Sequence, residues 1–509
     1  MAELLAIALL GAAVGAAYLP GSPVAWLPWF GLAPLLFAAW RAGPARAFRL
    51  GWVWGTAGWL VGMHWLAPTT ALFLGVPAPV AFLLYFAACL AVGTGFGVLA
   101  ALAACAPPSK GLWSAWLTAV GAAATVDRWY PEFWPWSLGV GQVAYPVLAQ
   151  TAAFGGPAAL SCLIAAVNAG FAAAAAGEGD TRARPLLASL AALFLAAGAG
   201  ALRLAQVDAS AKGPPSLRVT LVQGELPPRL REPESNIGDL PGYAAQTAAA
   251  LAAAPADLVV WPESAFPGRV TLEPSGAWVG ELPFGAVLGA ALPPGPPVLL
   301  GAITERGPVG GRQRRYNTAL YADGDRNLVG WVDKAYLIPF GEFMPFGRVG
   351  RALRRFSPGT WSLGRGRGPG VLAGPGDAVL GVPICYEDLI PARSRGMVLA
   401  GADVLIDVTN AAWFTPAARE SHFLFSRMRA VETGLPSLVA ANGGVTAFVD
   451  AAGRVSARLP EGRAGTLAVT VPTGRVPAPG LKVWRLFDWL GALALVLGLL
   501  VPGVRKFGS

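Results

Sequence analysis

Charge is what this sequence has least of. Only 13% of its 509 residues are Asp, Glu, Lys or Arg, and 55% are hydrophobic, whereas a soluble chain carries about 25% charged residues. The deficit is uneven: no charged residue lies between Arg49 and Lys110, and none between Glu132 and Glu178. A bilayer crossing needs roughly 20 apolar residues. Seven such stretches precede residue 205, at 3–19, 22–40, 50–67, 78–104, 111–127, 156–176 and 185–204, and an eighth lies at 484–503. Lipid offers no hydrogen bonds to a free backbone, so all eight are expected to be helices. So little intramembrane charge argues against a transporter or ion channel, whose pathway such residues mark. The first stretch has no basic region before it and six more follow closely, which reads as a retained span rather than a signal peptide.

The few basic residues fall on one side. Arg41, Arg46 and Arg49 lie between the second and third stretches, Lys110 between the fourth and fifth, and Arg182 and Arg184 between the sixth and seventh. Arg505 and Lys506 occupy the tail; the opposite loops hold only Arg128. Positive loops stay in the cytoplasm, so both termini are expected there, with the segment between spans seven and eight outside. The net charge of +9 partly reflects this topology and does not imply nucleic acid.

Histidine is nearly absent, at two residues, and no Cys-x-x-Cys occurs. No metal or cofactor is therefore expected. Cysteine is scarce too. Cys89, Cys105 and Cys162 fall in or beside the spans, which leaves Cys385 without a disulfide partner in the outer segment. A lone thiol in an oxidising compartment raises a reactive role; the plain alternative is a small buried hydrophobe at a strand end.

What is present from 214 to 475 is a different kind of sequence. Short apolar, β-branched runs ("SLRVTLVQG", "ADLVVWPESAF", "PPVLLGAIT", "AVLGVPICYED", "ADVLIDVTN") read as buried strands. Hairpins are expected around Asp323-Gly324 and Ala452-Gly453, and helices over "YAAQTAAALAAA" and "PAARESHFLFSRMRAVETG". The chain thus divides into membrane helices at 1–205, one α/β domain at 214–475 and a last span at 484–503.

A thiol with a free pKa of about 8.5 needs a base or a nearby cation to act as a nucleophile. His64 reads as a membrane packing residue and His422 as helix surface, so the base should be a carboxylate. "LVVWPESAFP" puts Glu263 after one apolar run; "LVGWVDKAYLIPFGEFMPF" puts Lys334 after another, with Glu342 eight residues on. Taken singly, Lys334 and Glu342 read as a surface ion pair. Chemistry in α/β sheets gathers where strands end, and a Glu, a Lys and a Cys at three such ends can converge. The Glu would take the thiol proton, and the Lys would stabilise the thiolate and the oxyanion.

"WPESAFP", "DKAYLIPFGEFMPF" and "ICYEDLIP" resemble the Glu-Lys-Cys set of the nitrilase superfamily. Behind seven spans and before an eighth, they resemble the apolipoprotein N-acyltransferase family. "DRWYPEFWPWSLGVGQVAYPVLAQTAAFGG" and the "VTNAAWFT…ANGGVTAFVD" stretch extend the resemblance over essentially the whole chain. It implies eight transmembrane helices and an extracytoplasmic nitrilase-like αββα sandwich in the inner membrane. It further implies Glu263 as base, Lys334 as oxyanion stabiliser and Cys385 as nucleophile. Glu342 and Glu387 would support the site, the Tyr386 N–H would help the oxyanion hole, and Trp413 would sit on a substrate loop beside Asn410. The implied partners are a phospholipid acyl donor and a diacylated apolipoprotein acceptor, served by a monomer. Two departures stand out: "TNAAWFT" lacks the usual Asp and Gly, and Glu225 replaces the usual Asn and is given no role.

Both substrates would be lipids, and two features suit that. Phe343, Met344 and Phe346 beside Arg348, Arg351, Arg354 and Arg355 read as a loop dipping into the interface, or else as an amphipathic surface helix. Trp129, Trp134 and Trp136 read as an aromatic belt. Two other functions compete: a membrane-tethered amidase that gives its acyl group to water, and a non-catalytic lipid-binding scaffold.

Overall fold

The computed structural model describes residues 1–131, 134–177, 179, 181–210, 217–227, 240–267, 269–272, 284–307, 314–348, 350 and 362–500. It divides into two compact units, one of residues 1–68, 78–205 and 478 onward, the other of 69–77 and 206–477. Arg351, Arg354, Arg355, Arg505 and Lys506 lie outside the described residues.

The first unit is helical. Ala2–Ala16, Pro44–Gly62, Ala78–Ala104, Leu112–Trp129, Ala152–Ala176, Arg184–Ser210 and Gly480–Leu500 are helices that overlap seven of the eight apolar stretches. The expected span at 22–40 is not one helix: it is broken into turns and two short helices, Pro28–Gly31 and Ala33–Arg41. Proline and glycine interrupt the backbone ladder here, and Asn168 satisfies the groups set free. Its Oδ1 accepts from Leu32 N at 2.9 Å and Ala33 N at 2.8 Å, and its Nδ2 donates to Pro28 O at 2.9 Å. Among the described residues three helices, 78–110, 152–176 and 184–210, are long and apolar enough to cross a membrane. Helix 2–16 packs on helix 44–62 through small residues: a Cβ on Gly11 would meet Trp54 O at 2.1 Å, a close approach typical of membrane helix pairs.

The second unit holds two sheets. The first has the order β13-β1-β2-β4-β5-β6, with β3 beside β4, over β1 (Leu217–Gln223), β2 (Leu258–Val260), β3 (Arg269–Leu272), β4 (Val298–Arg306), β5 (Arg314–Ala322), β6 (Leu328–Asp333) and β13 (Gly465–Val471). The second runs β12-β11-β10-β9-β8-β7, over β7 (Val371–Ala373), β8 (Val379–Gly381), β9 (Val404–Asn410), β10 (Ser437–Asn442), β11 (Ala447–Val449) and β12 (Val455–Arg458). One apolar cluster joins them, with Val219, Leu221, Val260 and Leu299 from the first sheet against Leu380, Ile384, Ile406 and Leu438 from the second. Each such side chain contributes roughly 1.5–3 kcal/mol on burial.

Helices close both outer faces. Leu240–Ala253 and Phe284–Ala291 pack on the first sheet, and Pro416–Thr433 packs on the second through Phe423 and Ala430. The result is the αββα sandwich expected from the sequence. Both expected hairpins form, joining β5 to β6 and β11 to β12.

Candidate active site

The ends of three strands meet at one point. β2 runs into Trp261-Pro262, and Glu263 follows with its backbone pressed against β4: a Cβ on Gly301 would lie 2.4 Å from Glu263 Cα, so only glycine fits there. Lys334 directly follows β6, its N–H donating to Asn317 O on β5 at 2.8 Å. Cys385 opens a five-residue 3-10 turn, Cys385–Leu389, after β8. Its φ of 53° is left-handed, a conformation that costs an L-residue roughly 1–2 kcal/mol. The elbow is held from behind, because Cys385 N donates to Asp407 Oδ1 on β9 at 3.0 Å.

The side chains interlock. Lys334 Nζ donates to Glu342 Oε1 at 2.9 Å and to Glu263 Oε1 at 3.2 Å. Asn317 Nδ2 donates to the same two oxygens at 2.9 and 2.6 Å. The remaining oxygens are also occupied: Glu263 Oε2 accepts from Asn410 N at 2.9 Å, and Glu342 Oε2 from Ile338 N at 2.8 Å. Lys334 is fully buried and Glu263 is 7% exposed.

Charge follows from this geometry. Burial alone would neutralise the Lys334 amine, but Glu263 and Glu342 together hold its pKa well above the usual lysine value, so it stays an ammonium. Burial, and then the negative charge of Glu263, push the Cys385 thiol well above its ordinary range against the opposing pull of Lys334. The resting cysteine is a neutral thiol. Burial pushes the Tyr386 phenol up to about 12 despite Lys334.

Glu387 fastens the cysteine turn to the lysine loop. Its Oε1 accepts from Ala335 N at 2.7 Å and Tyr336 N at 3.1 Å, its Oε2 from Ile384 N at 3.1 Å, and Arg393 pairs with it at 3.1 Å. Burial raises its pKa, and Arg393 and the three amides work against that. Beyond it, Asp388 takes a 2.8 Å contact from His422 Nε2 and a hydrogen bond from Ser426 Oγ. His422 is therefore buried within the domain, not on the helix surface expected from the sequence. Asp388, near the end of the cysteine turn, gives that face of the helix something to bury against.

The structure brings Glu263, Lys334 and Glu342 together, sets Asn410 N against Glu263, and ties the Cys385 turn to the lysine loop through Glu387. Trp413 is half-buried and meets the Phe73 ring edge-on at 6.0 Å. Phe343 and Met344 line a neighbouring cavity with Leu337. Phe346 stands 70% exposed in the same loop. Two residues that hold this cluster went unread. Asn317 and Asp407 lie inside strands, and the only signal was a polar residue in an otherwise apolar run ("YNTALYA", "VLIDVTN").

Fold and site together define a carbon–nitrogen hydrolase unit, and residues 218–478 match the family model of that description. Residues 10–170 match the model of the apolipoprotein N-acyltransferase N-terminal domain. The apolipoprotein N-acyltransferase of Agrobacterium fabrum is 31% identical over 491 residues, covering 90% of this chain and 86% of the relative. That of Brucella melitensis is also 31% identical, with 91% and 87% covered, and that of Geobacter metallireducens 29%, with 98% and 95%. A solved amidase from Nesterenkonia sp. is 19% identical, with a TM-score of 0.36, covering 54% of this chain and 97% of its own. The chain belongs to the apolipoprotein N-acyltransferase family.

Proposed function

We propose that this chain moves an acyl chain from a phospholipid to the α-amine of a diacylglyceryl-cysteine at a lipoprotein N-terminus, through a thioester on Cys385. The observation that carries the reading is the buried Glu263–Lys334–Glu342 cluster at the cysteine elbow, within a chain whose relatives bear that name over most of their length. In the first step the Cys385 sulfur attacks the donor ester while its proton passes to Glu263. That transfer removes the negative charge that raised the thiol pKa, and it leaves Lys334 less compensated as charge develops on the carbonyl oxygen. The tetrahedral intermediate collapses, and lysophospholipid leaves with the proton from Glu263. The acceptor amine then attacks the thioester, gives its proton to Glu263, and the departing sulfur recovers it. In this scheme the Tyr386 N–H is a second oxyanion donor, Asn317 orients both carboxylates, and Trp413 and Asn410 border the acyl chain.

Eight spans, both termini in the cytoplasm and the catalytic domain outside the inner membrane complete the reading. Supporting it are the charge-poor helices and the one-sided distribution of Lys and Arg. The test is purified protein exposed to phospholipid alone. An acyl mass on the Cys385 peptide that transfers to a diacylated lipopeptide is expected and should vanish in Cys385→Ala. Release of free fatty acid with no N-acylated peptide would make the chain a hydrolase, and indifference to Cys385→Ala would make it a scaffold.

A further inference from the structure

Behind the Lys334–Glu342 loop lies a cavity of about 880 Å³ with a mixed lining. Leu337, Phe343 and Met344 are its apolar lining, and Arg306, Arg314, Arg365 and Arg367 its cationic one. The wall between cavity and site is thin. Gly366 N donates to Lys334 O at 2.8 Å, and Leu363 N to Glu342 O at 3.0 Å, so one short segment both lines the cavity and buttresses the cluster.

The charge balance of this cavity is unmatched. Its single carboxylate, Asp333, is taken by Arg306 in a two-pronged pair at 2.5 Å. Arg306 also lies over the Tyr316 ring at 4.6 Å. Arg314, Arg365 and Arg367 have no carboxylate partner among the described residues, although Arg365 stacks 5.0 Å from the Phe343 ring centroid. Arg314 moreover stands directly opposite Arg306 across β4 and β5, where like charges repel. Guanidinium groups favour phosphate oxygens, which they can grip with two parallel hydrogen bonds. Arginines in contact with apolar side chains in one cavity suit an amphiphile with an anionic head.

We propose that this cavity holds the phosphodiester head of the acyl donor and selects net-negative phospholipids, phosphatidylglycerol ahead of phosphatidylethanolamine. The ethanolammonium of the latter has no carboxylate to meet among the lining residues, since Asp333 is engaged. The proposal rests on the phospholipid-donor reading for its biological meaning, but binding can be measured apart from chemistry.

The experiment uses the full-length Cys385→Ala protein in neutral detergent, titrated with short-chain phosphatidylglycerol or phosphatidylethanolamine and read by native mass spectrometry. Phosphatidylglycerol is expected to bind about tenfold more tightly, and Arg314→Gln/Arg365→Gln/Arg367→Gln should abolish that difference. Arg218→Gln, which breaks an exposed pair with Asp257 elsewhere on the domain, should leave it intact. Equal affinity for the two lipids, or a preference that survives the triple substitution, overturns the proposal. Inorganic phosphate is a separate arm: if it displaces the lipid at concentrations equal to the lipid's own, the cavity is a phosphate-ion site and the proposal fails. In the parent enzyme the triple substitution should raise KM for phosphatidylglycerol about tenfold with kcat little changed. An absent acyl-enzyme alongside intact lipid selectivity would count against the catalytic reading alone.

Discussion

Burial first, and then the negative charge of Glu263, hold the Cys385 thiol above its ordinary pKa range, and Lys334 does not fully cancel them. In the proposed mechanism the residue that accepts the proton thus also suppresses the thiolate. Glu263→Gln should separate the two roles. With the negative charge gone, the thiol pKa falls, and alkylation by iodoacetamide between pH 7 and 8 should become faster than in the parent. Acyl transfer should drop by at least about 100-fold for want of a base. Slower alkylation in the variant would show that the charge of Glu263 does not reach the sulfur. Asp407 offers a second dissection. Burial, then the nearby charge of Asp388, hold its carboxyl well above the usual range, so the folded state keeps a proton that the unfolded chain releases near pH 3.9. A raised folded pKa gives stability that is complete below that value and lost as pH rises toward the folded one. Asp407→Asn keeps an acceptor for Cys385 N–H without this linkage. Its melting temperature relative to the parent should climb from pH 5 to pH 8, by up to about 1.4 kcal/mol of stability per pH unit. Asp407→Ala also lacks the linkage but leaves that buried N–H unpaired, so it should lie about 1–3 kcal/mol below Asp407→Asn at every pH.

The elbow and the lysine loop act as one element because Glu387 spans them. Glu387→Ala would leave three amides and the buried Arg393 without their acceptor, a loss of about 3–5 kcal/mol that thermal unfolding should register. Glu420→Ala, which removes a partner of the exposed Arg458, should stay within about 0.5 kcal/mol. The contrast also explains what the sequence made legible. β1, β4 and β9 are apolar runs bounded by turn residues, and each was readable because a strand buried on both faces needs little else. β13 was not, since "GTLAVTV" exposes alternate residues and acquires its place only by pairing with β1 some 250 positions earlier. Glu263, Lys334 and Cys385 could be read because each follows an apolar run. Asn317 and Asp407 could not, because a polar residue inside a strand shows its purpose only when a distant carboxylate or amide is placed against it. The break at 28–33 depended likewise on Asn168, more than 130 residues away.

At the scale of the whole molecule, the fate of the thioester decides whether the chain is a transferase or a lipase. Water is abundant and the acceptor amine is not, so the acyl-enzyme must be shielded until the lipopeptide arrives. In the proposed scheme the Trp413 turn and its neighbours supply one piece of that shield. Residues 69–77, which lie in sequence between two apolar helices, fold with the catalytic unit. The Phe73 ring stands edge-on to Trp413 and reaches Gly341, where a Cβ would come within 2.2 Å of it. That contact ties the Trp413 turn to the loop carrying Glu342. An aromatic pair of this kind contributes about 0.5–1.5 kcal/mol, which corresponds to a two- to tenfold change in how often the two loops part. Phe73→Ala should therefore leave the rate of Cys385 acylation by phospholipid nearly unchanged. The share of acyl groups released as free fatty acid rather than N-acylated lipopeptide should rise by two- to tenfold, measured as the product ratio in a single incubation. Gly341→Ala, which displaces the same ring without removing it, should move the ratio in the same direction. A ratio unaltered in both variants would mean that Trp413 and Phe73 do not guard the thioester, and that water is excluded by some other part of the chain.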